Sequence, residues 1–258
     1  MIFDAHLHVI APGFELIPNQ GYVPPWFTTD DYLPIVQPLG VVGGAVVSGS
    51  FQGFDQTYLQ DALSRLGPTF VGVTQLDRDV PDETILDLAH YGVRAVRFNL
   101  RRGGSESVDA IEPMARRVFE LAHWHIEIYA DAQELAPLVP MLNSLPQIVI
   151  DHLGLSAHGL PTLLKLVEHG AKVKATGFGR VTLNVAAAVK AIVAVDPGAL
   201  VFGTDLPSTR ASRPFSPADI ELIQNELDPD IAQRVLYDNA IALYRPGRQA
   251  TAGAPQPV

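Results

Sequence analysis

The sequence contains no cysteine among its 258 residues. This absence excludes a disulfide scaffold, a thiolate nucleophile and a zinc site built on cysteine ligands. Any metal would therefore need histidine and carboxylate ligands. Basic runs are also missing, and 18 Lys and Arg residues against 28 Asp and Glu residues give a net charge of −10. That balance argues against nucleic acid and anionic membranes as partners.

Long apolar runs and targeting signals are missing as well. The sequence has no stretch of about 18 uninterrupted apolar residues, so we predict no membrane span. The start of the chain lacks a basic segment followed by an apolar one, which a signal peptide would have. We therefore expect a cytoplasmic protein. A hydrophobic content of 47% is enough to bury a large core.

Eight short apolar runs, rich in Val and Ile, recur along the chain. They are Ile2–His6, Val41–Val47, Phe70–Leu76, Val93–Leu100, His125–Ala130, Gln147–His152, Ala171–Thr176 and Leu200–Thr204. Their lack of polar alternation is typical of strands buried on both faces. Helical patterns lie between them at Asp82–Tyr91, Asp109–Ala122, Pro161–His169, Leu183–Val195, Ala218–Leu227 and Asp230–Tyr244. This alternation predicts an α/β fold, a single-domain (β/α)8 TIM barrel over residues 1–245; a doubly wound sheet is the alternative.

Two segments differ from this pattern. Residues 11–32 are rich in Pro, Gly and aromatic residues and follow the first predicted strand, so they would lie over the carboxyl-end mouth of a barrel. Long loops in that place are often lids, and the alternative is a surface loop with some aromatic packing. Residues 246–258 are rich in Pro, Gly and Ala, and we predict a disordered tail there.

Histidine and aspartate residues stand at the ends of three predicted strands. His6 and His8 end the first strand two residues apart, so both imidazoles face the same side. Asp205 follows the eighth strand, which neighbours the first in a closed barrel, and His152 ends the sixth. A carboxylate beside imidazoles is a suitable general base for water, so we predict a catalytic cluster of these four residues, with Asp151 as a structural partner. The alternatives are a turn cap at Asp205 and a hydrogen-bonded core histidine at His152.

Basic and polar residues near other strand ends suggest how a substrate is held. Arg97 and Asn99 share one face of the fourth strand, and Arg180 follows the seventh. An arginine directed into a barrel mouth is costly to bury unpaired, and a substrate carboxylate is a natural bidentate partner. Tyr129 ends the fifth strand and Ser50 follows the second; each is either a hydrogen-bond donor to substrate or an ordinary loop residue.

Five segments of the chain resemble the amidohydrolase superfamily, in the right order and over almost the whole length. They are Phe3–His8, Gly92–Asn99, Val149–Gly154, Val201–Pro207 and Asn239–Tyr244. The Arg-Phe-Asn segment is the most specific. It is similar to the amidohydrolase-related (amidohydrolase 2) branch that holds 2-pyrone-4,6-dicarboxylate lactonase and related sugar-lactone hydrolases. The resemblance implies a hydrolase that opens a carboxylate-bearing lactone.

Three departures from the superfamily pattern bear on the metal and on the substrate. The fourth strand lacks the bridging Lys or Glu of binuclear members, and the fifth strand ends without the His of metal-dependent ones. The resemblance therefore implies that no cofactor is required, as in the pyrone lactonase; the alternative is one divalent cation, Zn or Mn, bound by His6, His8 and Asp205. Leu155 replaces an Arg that this lactonase uses for a substrate carboxylate, which argues against a dicarboxylate.

The expected mechanism is reversible hydrolysis of a small carboxylate-bearing lactone. Arg97 and Arg180 would anchor the carboxylate, and the three imidazoles would polarise the lactone carbonyl. Asp205 would take a proton from the attacking water and return it to the leaving oxygen. Three alternatives remain: a lactone isomerase, a mononuclear-metal decarboxylase and a non-catalytic barrel that binds a sugar acid. The sequence leaves the oligomeric state open, a homo-oligomer included.

Overall fold

Eight parallel strands form a barrel in the computed structural model, which describes residues 1–247. The strands are β1 (Ile2–Leu7), β2 (Val41–Val47), β3 (Phe70–Thr74), β4 (Val93–Asn99), β5 (His125–Tyr129), β6 (Ile148–Ile150), β7 (Lys172–Ala175) and β8 (Leu200–Phe202). Each strand pairs in parallel with the next one along the chain. Because the strand order never reverses, the predicted TIM barrel is confirmed and the doubly wound alternative is wrong.

The barrel closes between β1 and the segment that follows β8. The Asp205 nitrogen donates to the His6 carbonyl at 2.7 Å, and the His8 nitrogen donates to the Leu206 carbonyl at 2.8 Å. Gly203 permits this close approach, because a Cβ atom there would lie 2.6 Å from the His6 nitrogen. Backbone hydrogen bonds therefore join the two chain segments that carry most of the predicted cluster.

Helices cover the outside of the strands. They are α1 (Thr29–Val36), α2 (Thr57–Leu66), α3 (Asp82–His90), α4 (Ile111–Ala122), α5 (Val139–Leu142), α6 (Leu160–Glu168), α7 (Val185–Val195), α8 (Ala218–Glu226), α9 (Pro229–Gln233) and α10 (Asn239–Tyr244). A π-helical turn at Arg234–Asp238 joins α9 to α10. The sequence patterns miss α1, α2 and α5. Pro34 interrupts the pattern of α1, Pro140 that of α5, and α2 has no side-chain N-cap to mark its start.

The barrel has two apolar clusters. The larger one lies between the strands and the helices. The smaller one combines alternate residues of β1 to β4 and β8, among them Val47, Val73 and Val201, with Tyr244 of α10. Since alternate strand residues face the same side, this cluster fills the interior of the barrel and Tyr244 closes its lower end. The candidate site lies above this packed floor.

Two pairs of backbone hydrogen bonds hold the predicted insert at residues 11–32, and its last four residues belong to α1. Ile10 and Phe27 bond to each other at 2.7 and 2.8 Å, and Asn19 and Tyr22 pair at 2.9 and 3.0 Å. A lid function for this segment stays a prediction. Of the predicted tail, residues 248–258 lie outside the described residues. Within residues 1–247, no helix has the length and apolarity needed to cross a membrane.

Candidate active site

The four residues of the predicted cluster lie together at the carboxyl ends of β1, β6 and β8. The His6 ring centroid is 5.1 Å from that of His8 and 4.8 Å from that of His152. Oδ1 of Asp205 lies 3.9 Å from Nε2 of His6 and 3.8 Å from Nε2 of His8. All four residues are buried. The strand order thus brings three imidazoles and one carboxylate to the end of the barrel where enzymes of this fold place their active sites.

Two of these residues have an unusual backbone conformation. Asp205 has a φ of +61° and His152 a φ of +50°, a left-handed region that is uncommon for residues other than glycine. Such conformations cost about 1–3 kcal/mol each and concentrate at functional sites. Gly177 lies between them, where a Cβ atom would be 2.8 Å from Nδ1 of His152 and 3.2 Å from Oδ2 of Asp205. A glycine at this position lets both side chains enter the pocket.

The Asp205 carboxylate has one oxygen fixed and one free. Nε of Arg180 donates to its Oδ2 at 2.5 Å, whereas Oδ1 has no hydrogen-bond partner among the described residues. Burial raises the pKa of Asp205 above its ordinary value, and Arg180 acts against this rise. The free oxygen faces the imidazoles of β1, which is the arrangement that a general base for water requires.

Arg97 lines the pocket with its charge already paired. Its Nε and one Nη donate to Oδ2 of Asp151 at 3.0 and 2.8 Å, and its other Nη donates to the Ser48 carbonyl at 2.9 Å. The guanidinium lies 5.2 Å from the centre of the Tyr129 ring. Burial would raise the pKa of Asp151, but Arg97 and the other cations around it hold that pKa well below the usual range. Asp151 thus has the structural contacts expected of it.

The imidazoles are held on the side away from the pocket. Nδ1 of His8 donates to the Val47 carbonyl at 2.7 Å, because a carbonyl oxygen can only accept. Nδ1 of His152 lies 2.7 Å from the Thr176 hydroxyl. Burial lowers the pKa of all three rings, that of His8 to about 3. The rings are therefore neutral at physiological pH and turn Nε2 of His6 and His8 toward Asp205.

A pocket of about 390 Å³, partly open to solvent, lies above the cluster. Eight residues from the sequence-based prediction line it: His8, Ser50, Arg97, Asn99, Tyr129, His152, Arg180 and Asp205. The Asn99 side-chain oxygen accepts from the Arg102 nitrogen at 2.9 Å, so it shapes the loop after β4. His6 lies deeper and is fully buried. The predicted polar side chains thus converge on one opening above the cluster.

Six lining residues were not among the predicted site residues, and Tyr22, Arg102 and Arg210 are three of them. The Arg210 guanidinium stacks on the Tyr22 ring at 4.3 Å and donates to Oδ1 of Asn19 at 3.2 Å. Nδ2 of Asn19 donates to the Arg102 carbonyl at 3.1 Å. Within residues 1–247 neither arginine forms an ion pair with a carboxylate. Residues of the predicted insert thus connect two loops that bring unpaired positive charge to the mouth.

A buried charge network lies beneath the cluster and was also missed. Nζ of Lys174 lies 2.5 Å from Oε2 of Glu127 and 3.3 Å from Nδ1 of His6. The Tyr244 hydroxyl donates to the other Glu127 oxygen at 2.6 Å. All of these side chains are buried. Strand alternation gave a partial signal: it places Glu127 on the same face of β5 as Tyr129, which was predicted for the site, whereas the short strand β7 gives no such indication for Lys174.

Two groups of side chains have the spacing of a metal site. In His6–His8–Asp205 and in His6–Asp151–His152, one donor atom per residue lies within 4.8 Å of the others. The first group contains two buried atoms without a hydrogen-bond partner among the described residues, Nε2 of His6 and Oδ1 of Asp205. A ligating imidazole usually donates its other N–H to an acceptor. His8 does so, but Nδ1 of His6 faces the Lys174 ammonium. The spacing of the three side chains therefore fits a divalent cation, whereas the hydrogen bonding of His6 does not.

A family model for amidohydrolases matches residues 3–245. The chain belongs to the amidohydrolase family. The resemblance seen in the sequence is therefore confirmed, and so is the prediction of a hydrolytic enzyme.

Curated relatives of this amidohydrolase match it over nearly its full length. The 2-pyrone-4,6-dicarboxylate hydrolase of Comamonas testosteroni is 27% identical over 277 residues, which cover 94% of this chain and 90% of the relative. The 4-sulfomuconolactone hydrolase of Rhizobium radiobacter is 28% identical over 273 residues, with coverages of 94% and 89%. A solved structure from Pseudomonas putida, named as a 2-pyrone-4,6-dicarboxylic acid hydrolase, has a TM-score of 0.80 and 29% identity, with coverages of 95% and 97%.

Two more distant structures contain ligands. A protein from Acinetobacter baumannii, named as a 2-pyrone-4,6-dicarboxylic acid hydrolase, has citric acid bound; its TM-score is 0.82 at 21% identity. An amidohydrolase from Burkholderia multivorans has zinc bound; its TM-score is 0.71 at 16% identity. Each comparison covers 95% of this chain and 99% of the other. At these identities the likeness shows the shared fold alone.

Proposed function

We propose that this amidohydrolase opens a lactone ring that carries an anionic group, by attack of water with Asp205 as the general base. The observation that carries the proposal is the free Oδ1 of Asp205, which lies 3.8 Å from Nε2 of His8, a residue that lines the pocket, and 3.9 Å from Nε2 of the buried His6. The reaction class is supported by the two curated relatives, which are both lactone hydrolases.

The residues of this pocket account for each proton transfer in the reaction. Asp205 accepts a proton from water while the water oxygen bonds to the lactone carbonyl carbon, and the carbonyl electron pair moves to its oxygen. A hydrogen bond from an imidazole N–H that faces the pocket stabilises this oxyanion, and one such donor contributes about 3–4 kcal/mol. The ring C–O bond then breaks, and the proton on Asp205 passes to the leaving oxygen. The product is an open-chain acid with a new hydroxyl group, and its carboxyl group releases a proton to solvent.

The basic lining of the pocket supports an anionic substrate. Arg102 and Arg210 line it without a carboxylate partner within the described chain, although the protein as a whole has a net charge of −10. Arg97 and Arg180 each pair with a buried carboxylate, so they hold less free charge for a substrate. We therefore assign the main electrostatic attraction to the first pair. This pair can hold a second acidic group even though Leu155 supplies no charge.

A panel of lactones tests this function. It contains five- and six-membered rings and pyrones with no, one or two acidic groups, assayed by proton release and by NMR of the products in oxygen-18-labelled water. We expect release of one proton per ring opened, with the label in the new carboxylate. Asp205→Asn should cut kcat by orders of magnitude, because the base is lost, while calorimetry still measures substrate binding.

Other outcomes of the panel would identify another protein function. Movement of the lactone bond to another hydroxyl group without uptake of oxygen-18 would indicate an isomerase. Release of carbon dioxide would indicate a decarboxylase. Tight binding without turnover of any ring would indicate a binding protein. Near-normal turnover by Asp205→Asn would remove Asp205 from the mechanism. Asp219→Asn is the matched control, because this carboxylate pairs with Arg213 outside the pocket.

A further inference from the structure

The two imidazoles of β1 have different partners on the side away from the pocket. Nδ1 of His8 lies 2.7 Å from the Val47 carbonyl oxygen, which can only accept, so Nδ1 carries the hydrogen and Nε2 a lone pair. Nδ1 of His6 lies 3.3 Å from the Lys174 ammonium, which can only donate, so here Nδ1 has the lone pair and Nε2 the hydrogen. We infer that Lys174 sets His6 in the tautomer opposite to that of His8.

One other group approaches Nδ1 of His6. Oδ1 of Asp151 lies 3.5 Å from it, at the outer limit of a hydrogen bond, and accepts none among the described residues. A hydrogen on Nδ1 could be donated to this oxygen, but it would also face the positive charge of the Lys174 ammonium. That ammonium lies 3.7 Å from the same oxygen and attracts it directly. A lone pair on Nδ1 therefore avoids this repulsion, and the Lys174 ammonium and the Asp151 carboxylate still attract each other.

Lys174 cannot turn away from His6 without a large loss. Its side chain is fully buried, and its ammonium pairs with the fully buried Glu127 at 2.5 Å. Glu127 is fixed in turn by the Tyr244 hydroxyl at 2.6 Å. Breaking a buried pair leaves an uncompensated charge in the protein interior, so the ammonium stays in place. The network thus supplies a fixed donor, held from β5 and α10, to the ring of His6.

Opposite tautomers suit two different tasks in the proposed hydrolysis. The Nε2–H of His6 can donate to the carbonyl oxygen as this oxygen becomes negative. The Nε2 lone pair of His8 can accept a hydrogen bond from the attacking water beside Asp205. Lys174 is then a positioning residue that acts on the carbonyl group through His6. This consequence rests on the proposed function, whereas the tautomers rest on the hydrogen bonds alone.

The same assignment weakens metal binding by the cluster. A zinc ion on His6, His8 and Asp205 would need an Nε2 lone pair on both rings. Lys174 gives His6 a hydrogen on that atom and places an ammonium where ligating histidines usually have an acceptor. Changes in such outer partners alter metal affinity by about 10–100-fold. We therefore expect that removal of the ammonium makes zinc binding tighter.

Nitrogen-15 NMR of the histidine rings in the whole protein tests the tautomers directly. A ring nitrogen with a hydrogen and one with a lone pair give separate signals, and His6→Gln and His8→Gln proteins assign them. We expect the hydrogen on Nε2 in His6 and on Nδ1 in His8, at a pH where both rings are neutral. A hydrogen on Nδ1 of wild-type His6 would overturn the inference. Correct tautomers without any lactone turnover would instead refute the proposed function alone.

The role of Lys174 is tested by a double variant, Lys174→Met with Glu127→Gln, which removes the ammonium and its counter-ion together. We expect the His6 hydrogen to move to Nδ1, and the zinc affinity measured by calorimetry to rise by about tenfold or more. For a lactone that the wild type hydrolyses, kcat should fall by about 10²-fold, the cost of a lost oxyanion donor, while KM changes by less than about twofold.

Lys172→Met is the matched control for this experiment. Lys172 lies on the same strand and pairs with Asp196 at 3.2 Å, away from the cluster. This variant should keep the wild-type tautomer, zinc affinity and kcat. If the double variant keeps them too, Lys174 does not set the tautomer of His6. If the double variant does not fold, the wild-type spectrum alone decides, because it shows whether His6 has the tautomer that a donor at Nδ1 imposes.

Discussion

Arg180 binds one carboxylate oxygen of Asp205 at 2.5 Å and leaves the other free to face the imidazoles of β1. Burial raises the pKa of this carboxyl group, and Arg180 opposes the rise by stabilising the ionised form. A raised pKa makes Asp205 a stronger base than an ordinary aspartate, and the arginine favours its ionised form. Burial therefore increases the base strength of Asp205, while Arg180 increases the fraction of Asp205 that is ionised.

Arg180→Met should move the acid limb of kcat/KM to higher pH. The limb reports protonation of the base in the free enzyme. Without this guanidinium, only Arg97 still opposes the effect of burial on Asp205, so the pKa of Asp205 rises and activity is lost at a higher pH as the solution is acidified. An opposite charge at this distance lowers a carboxyl pKa, so its removal should move the acid limb measurably toward neutral pH. A pH profile of kcat/KM measures it.

The control for this profile is Arg213→Met. Its guanidinium pairs with Asp219 at 2.7 Å and does not line the pocket. We expect it to leave the acid limb in place. An Arg180→Met profile that coincides with that of the control would contradict the assignment of Asp205 as the titrating base.

Arg210→Met should weaken the binding of anionic lactones and spare neutral ones. Arg210 lines the pocket without a carboxylate partner within the described chain, and a hydrogen bond to a charged group is worth about 1.5–3 kcal/mol. We therefore expect KM for an acidic lactone to rise by about 10–150-fold. The measurement compares KM for an acidic lactone with that for its methyl ester, at low and high salt.

The loop contact of Arg210 requires a separate control. Asn19→Ala removes the side-chain oxygen that accepts from Arg210 at 3.2 Å but keeps the positive charge. This variant should retain the preference for the acid over the ester. If it loses that preference as fully as Arg210→Met does, the loop and not the charge determines recognition.

The predicted cluster follows from a general property of parallel barrels. His6, His8, His152 and Asp205 stand at the ends of Val- and Ile-rich runs, and a parallel barrel brings all such ends to one mouth. The pairing of Arg97 with Asp151 does not follow in this way. β4 and β6 are separated by β5, so this ion pair depends on the curvature of the closed sheet, which no local pattern encodes.

Residues in short strands and irregular loops were harder to place. β7 reads Lys-Val-Lys-Ala, and a charged residue in such a strand indicates solvent as readily as a barrel interior. Only closure of the barrel shows that Lys174 faces inward, toward Glu127. Arg210 lies in a loop without periodicity, and its position depends on contacts with Asn19 and Tyr22, which are distant in sequence.

The buried ring of His8 should make the protein less stable in mild acid. Burial lowers its pKa from 6.5 to about 3, so between these values the unfolded chain binds a proton that the folded protein does not. Stability is therefore lost as the pH falls below 6.5, by up to about 1.4 kcal/mol per pH unit for one such group. Asp4 acts with the opposite sign: burial raises its pKa from 3.8 to about 6, so it adds stability as the pH falls through that window.

Urea unfolding between about pH 8 and about pH 5 measures this dependence. We expect the free energy of unfolding of the wild type to decrease below pH 6.5, the unperturbed value for His8. The decrease should be less steep in His8→Gln, which has no proton to take up, whereas the contribution of Asp4 is common to both proteins. Parallel curves for the two proteins would show that His8 is not a source of the acid sensitivity.

Asp4 connects three elements behind the cluster. Its Oδ2 accepts from the Tyr32 hydroxyl of α1 at 2.9 Å and from the Thr204 hydroxyl at 2.6 Å, and its Oδ1 accepts from the Thr204 nitrogen at 2.8 Å. Tyr32→Phe removes one donor from a buried carboxylate that is ionised above pH 6, its raised pKa. We expect a loss of about 1.5–3 kcal/mol in the free energy of unfolding at pH 8, the value of a charged hydrogen bond.

Tyr58→Phe provides the comparison that isolates the charge. Tyr58 is also buried, but its hydroxyl lies 2.6 Å from that of Ser48, a neutral partner. We expect this variant to lose only about 0.5–1.5 kcal/mol, the value of a neutral hydrogen bond. The difference between the two variants should shrink in urea unfolding at about pH 5, where the Asp4 carboxyl of the folded protein is largely protonated. A loss in Tyr58→Phe equal to that in Tyr32→Phe at pH 8 would show that the charge on Asp4 adds nothing to this contact.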